Sequence, residues 1–115
     1  MKLRTQVIFV ALLASQSGEA ERSKPIHLYP GYTTRINCQG RLLLSAIGND
    51  QLVQLDALPS ELGCGILLRP KTGKGRTDLA AETSAGSILR IVNIEPENSQ
   101  PEASALIYVI SGDSK

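Results

Sequence analysis

Short apolar runs, each closed within a few residues by a glycine, proline, asparagine or glutamine signal, recur from Ile26 to Ile110. None is long and periodic enough for a substantial amphipathic helix, so the punctuation points to an all-β domain. Residues 26–29 are closed by Pro30-Gly31, 33–38 by Gln39-Gly40, and 42–47 by Gly48-Asn49-Asp50. Residues 52–55, 66–69, 77–83, 88–94 and 106–110 continue the series. About seven to eight short strands at this spacing predict a small β-sandwich or barrel, with the sandwich preferred. A single helical turn is expected at 59–62.

Alternation then assigns faces. In residues 33–38 the set Thr34, Ile36 and Cys38 is expected inside, and Thr33, Arg35 and Asn37 outside. In residues 78–83 Leu79, Ala81 and Thr83 face in, and Asp78, Ala80 and Glu82 face out. Ser84-Ala85-Gly86-Ser87 is read as the hairpin turn into residues 88–92. Residues 95–102, EPENSQPE, are read as an exposed acidic loop that leads to a last strand.

The first twenty residues have the three parts of an export signal: Lys2 and Arg4, an apolar run at 7–14, and small residues ending at Ala20. That run is far shorter than the roughly 18 residues needed to span a bilayer. The expected organisation is a signal peptide at 1–20 and one β-sandwich domain at 21–115, with no membrane span after cleavage. Lys2, Arg4 and Glu19 leave with the signal, so the 12 basic and 11 acidic residues become ten of each. A neutral mature chain gives no electrostatic reason to expect nucleic acid or acidic lipid as partner.

Cys38 and Cys64 are then an even pair in an exported chain and are expected to form one disulfide. Closing a loop of this length contributes about 3 to 4 kcal/mol in the chain-entropy model. That matters here because one Phe, three Tyr and no Trp leave a core of Leu, Ile, Val and Ala.

The chemical signals are sparse. Residues 69–76, RPKTGKGR, look like a phosphate loop but fail its pattern: Leu68 stands where the first Gly is needed, and Gly75 stands where Ser or Thr must follow the lysine. The expected structure is a glycine-rich connection, with Lys71, Lys74 and Arg76 as candidate contacts for a partner. Tyr29 and Tyr32 flank Pro30-Gly31 and are a second candidate contact, or a cap on the end of the sandwich. His27 is the sole histidine, expected on an exposed strand face. There is no nucleophile signature and no paired-acid or metal-ligand spacing, so neither an enzyme, a cofactor nor a metal is expected.

In order along the chain, Tyr29-Pro30-Gly31, Thr34-Arg35-Ile36, Ile47-Gly48-Asn49, Ile66-Leu67-Leu68-Arg69-Pro70, Arg76-Thr77-Asp78-Leu79, Glu82-Thr83 and Gly86 resemble the N-terminal domain of the CagX and TrbG family, over about residues 26 to 94. Those are periplasmic core-complex proteins of type IV secretion and conjugation machines. The N-terminal domains of pilus secretins are a close second resemblance, through residues 71–79. Asp78 stands where the family usually has Asn, and the family's C-terminal domain has no counterpart in these residues.

The resemblance implies a non-catalytic structural, assembly or adaptor protein of an envelope-spanning secretion, conjugation or pilus machine. Its expected place is the periplasm, and its expected partners are other envelope proteins, with self-association also open. Exposed strand edges would make the contacts, and the last strand, 105–110, would pair within the chain or be donated to a neighbour. The alternative is a small exported module that holds an anionic polymer through residues 69–76.

Overall fold

The computed structural model describes residues 24–111; the expected leader at 1–20 lies outside the described residues. Eight strands are present: β1 (Ile26–Leu28), β2 (Thr34–Asn37), β3 (Leu42–Ile47), β4 (Val53–Ala57), β5 (Gly65–Pro70), β6 (Gly75–Thr83), β7 (Gly86–Ile94) and β8 (Ile107–Val109). They form two four-stranded sheets, ordered β1-β7-β6-β3 and β4-β5-β2-β8. The expected all-β sandwich is what this sequence folds into. Single 3-10 turns occur at Ser60–Leu62, as anticipated, and at Ala103–Leu106, directly before β8.

The chain changes sheet at 29–33, 38–41, 48–52, 71–74 and 95–106, so only β4-β5 and β6-β7 are hairpins. Crossing so often lets both sheets supply one core. Ile26, Leu28, Leu79, Ile88 and Val92 of the first sheet meet Ile36, Val53, Ile66 and Leu68 of the second, all at 0 to 1% exposure. Burying an aliphatic side chain of this kind contributes roughly 1.5 to 3 kcal/mol before entropy is counted.

The alternation holds at Thr34 and Ile36 and at Leu79, Ala81 and Thr83, but Cys38, expected inside, is half-buried, as are Thr33, Asn37 and Ala80, expected outside. Thr34 and Ile36 are buried with Arg35 exposed between them, and Leu79, Ala81 and Thr83 are buried with Asp78 and Glu82 exposed. The β6-β7 turn has two residues, Ser84 and Ala85, because Thr83 already pairs with Gly86. Buried Thr83 satisfies its hydroxyl there: Oγ1 accepts from the Ala85 N–H and donates to the Gly86 carbonyl, both at 3.0 Å. Thr34 does not; its buried Oγ1 has no hydrogen-bond partner.

Cys38 and Cys64 form the disulfide, with Cα atoms 5.0 Å apart. They lie one position beyond the Asn37–Gly65 pair that ends the β2-β5 ladder, and the Cys38 N–H donates to the Cys64 carbonyl at 3.0 Å. The bridge therefore extends that ladder and ties the 3-10 turn before β5 to the end of β2.

Two pairings are parallel and long-range: β1 with β7, and β8 with β2. The last strand thus pairs within the chain, as an edge. From it Tyr108 reaches across to the other sheet, where its hydroxyl accepts the His27 N–H at 3.0 Å.

Candidate functional site

All five candidate contact residues lie at one end of the sandwich. The acidic loop after β7 holds the Tyr29–Tyr32 turn and Lys74 there, while the Lys71 N–H donates to the Leu52 carbonyl at 2.7 Å. The Glu95 N–H donates to the Leu28 carbonyl at 2.8 Å, fixing the loop to the end of β1, and the Glu95 carbonyl accepts from the Lys74 N–H at 3.2 Å. Farther along, Gln100 accepts a 3.4 Å bond from the Tyr32 hydroxyl, and the Tyr32 N–H closes the Pro30-Gly31 turn onto the Tyr29 carbonyl at 3.0 Å. Tyr29 and Tyr32 are half-buried, while Lys71, Lys74 and Arg76 are exposed.

The glycines of the basic loop have a different task from the one their phosphate-loop appearance suggests. A Cβ at Gly73 would come within 2.7 Å of the Glu97 side chain, so the missing side chain is what lets the acidic loop lie against the basic one. The left-handed conformation falls not on Gly73 or Gly75 but on Lys74, at φ 60°, a geometry that costs an L-residue of this kind about 1 kcal/mol. An acidic side chain of the same molecule therefore occupies part of the surface that an anionic polymer would need. The loop is a crossing between the two sheets, from β5 to β6, and carries no helix N-terminus that could hold an anion.

His27 is also at this end. Its Nδ1 lies 2.8 Å from Glu95 Oε2. In the sequence it is a lone strand histidine; the partner is 68 residues away and reaches it only because β1 lies beside β7. Both side chains are 30 to 45% exposed, so the pair is worth a fraction of a kcal/mol, and it is not joined by a nucleophile. Among the described residues no group of three or more His, Cys, Asp or Glu is arranged to hold a metal ion.

A second surface was not singled out from the sequence. On the outer face of the first sheet, Leu44 and Ala46 of β3, Ala80 of β6, and Leu89 and Ile91 of β7 are cross-strand or diagonal neighbours. Leu44 and Leu89 are 61 and 62% exposed, and Ile91 is 37% exposed. Two shallow hollows of about 110 and 220 Å³ lie among them, edged by Glu82 and Asp78. The signal was available: LLLSAI in β3 and ILRIV in β7 do not alternate cleanly, and a strand apolar on both faces expects cover on both.

β3 also borders a groove of about 540 Å³, lined by Gly40 to Ser45 on one side and by Ala57, Leu58, Ser60 and Gly63 on the other. Leu43 and Leu62, 57 and 61% exposed, stand at it or beside it. Its lining is leucine, alanine, glycine and serine, with Arg41 as the only charged residue.

Comparison with known proteins finds no matching family model and no significantly similar curated protein. Of the ordered sequence motifs, Gly48-Asn49 and Thr77-Asp78 come together in space: the Gly48 N–H donates to the Asp78 carbonyl at 2.9 Å and the Asn49 N–H to Thr77 Oγ1 at 2.8 Å.

Proposed function

We propose that the protein is a non-catalytic assembly or adaptor component of an envelope-spanning secretion, conjugation or pilus machine, acting in the periplasm through protein-protein contacts. The observation that carries this reading is the exposed apolar face of the first sheet, continuous from Leu44 to Ile91 and beside a strand edge without charges. Small soluble domains seldom leave such a face uncovered unless something docks there. The disulfide fits an oxidising compartment, and the signal-like N-terminus and the motif order support export to a secretion or pilus apparatus.

A photo-crosslinking residue in place of Ala80, at the centre of the face, tests the proposal. In intact envelopes it is expected to trap ring or channel subunits of such a machine, and a charge introduced by Leu89→Glu is expected to abolish the product. Failure to trap any envelope subunit, with the protein folded and exported, would refute the reading.

A further inference from the structure

We propose that β3 pairs antiparallel with β3 of a second copy of this chain, joining the two first sheets into one sheet of eight strands. The inference concerns self-association and does not depend on which machine the protein serves.

β3 is the end strand of its sheet and has no hydrogen-bonded strand on its outer side among the described residues; the end of β4 and the turn after it face it across the groove. Native edge strands are usually guarded by charges or proline against pairing with another chain. The six residues of β3, LLLSAI, include neither, and Leu43 and Leu44 project with more than half of their surface exposed. The charges sit just outside the strand, and they are of opposite sign at its two ends. Arg41 precedes it, with no ion pair among the described residues. At the far end Asp50 follows, and the Asp78 carboxylate lies directly over Gly48. Antiparallel pairing brings the cationic end of each strand to the anionic end of the other, twice, about one two-fold axis.

Symmetry also narrows the register. A two-fold axis normal to the sheet keeps the outer face outward in both copies, and residues opposite one another in an antiparallel pair share a face. Residue numbers that face each other must therefore sum to an even number. The bulge between Leu42 and Leu44 confines the regular part of the strand to Leu44–Ile47, so the axis falls at Ser45 or Ala46. With Ser45 opposite its own copy, Leu44 meets Ala46 on the outer face, and, with the extra residue of the bulge counted, Arg41 lies opposite Gly48 and the Asp78 carboxylate over it. An axis at Ala46 instead sets Leu44 against Gly48 and that carboxylate. The apolar face chooses Ser45. The groove beside β3 is then covered, and the apolar face of each copy continues into that of the other.

The test uses the full-length exported protein. Ser45→Cys places two thiols opposite each other across the axis, with Cβ atoms about 4.5 to 5.5 Å apart. Mild oxidation is expected to link it into a dimer in minutes, much faster than an Asp56→Cys control on the other sheet. In sedimentation equilibrium, Arg41→Glu is expected to weaken dimerisation about tenfold, given two rim pairs per dimer. Adding Asp50→Arg and Asp78→Arg to it is expected to restore the dimer. Retention of the native disulfide and an unchanged circular dichroism spectrum show that the variants fold. Ser45→Cys linking no faster than the control, with the unmodified protein monomeric at hundreds of micromolar, would overturn the proposal.

Discussion

At the β1 edge of the first sheet, the outward N–H of His27 is taken up by the Tyr108 hydroxyl, and the strand stops after three residues. At the β3 edge, six residues run on without a charge, beside an apolar groove and two exposed leucines. The edges belong to the same sheet, yet one is short and capped by a side chain from the other sheet, while the other is long and bare. An unguarded edge invites a partner strand, so a fold that closes one edge and leaves the other open has directed its contacts.

The largest disturbance should come from removing the disulfide. Replacing Cys38 and Cys64 with Ala is expected to cost about 3 to 4 kcal/mol in denaturant unfolding. The bridge tethers the 3-10 turn whose Ser60 and Gly63 form the far wall of the β3 groove. Hydrogen exchange should therefore rise there before it rises at β1.

Tyr108→Phe strikes the capped edge instead. It leaves the His27 N–H without its partner and is expected to cost about 1 to 2 kcal/mol, with faster exchange of the His27 amide as the local readout. Unchanged exchange at His27 would mean the cap is not what closes that edge.

Thr34→Val should act on neither edge. It replaces a buried hydroxyl that has no partner by a methyl of similar shape, and a gain of about 1 kcal/mol is expected in thermal or chemical unfolding. A loss would mean that the hydroxyl finds a partner after all. The smallest effect on stability belongs to Leu44→Lys, less than about 0.5 kcal/mol for an exposed side chain. The same change should remove self-association, because a lysine at mid-edge guards it.

The strands were legible because their face assignment is local. Residues 34–38 and 79–83 alternate, and the turns between strands carry glycine, proline or asparagine, so each element could be placed within a residue or two. The disulfide was legible because an even cysteine count in a chain with an export-like leader has few other uses. What a local pattern does not carry is which strands meet. The parallel pairing of β1 with β7 joins residues 66 apart, and the partners of His27 lie 68 and 81 residues away. The contact between Gly73 and Glu97 was hidden for the same reason, and with it the acidic cover on the basic loop. The outer apolar face was present in the sequence as a failure of alternation in LLLSAI and ILRIV, a signal that tells of a second buried side without saying what buries it.

The most direct measurement is amide hydrogen exchange along β1 and β3 at two protein concentrations, one well below and one well above the association range. The account predicts that amides on the outer edge of β3 gain protection as concentration rises, while His27 stays protected at both. Exchange in β3 that is independent of concentration, with Leu44→Lys behaving as the unmodified protein, would contradict it.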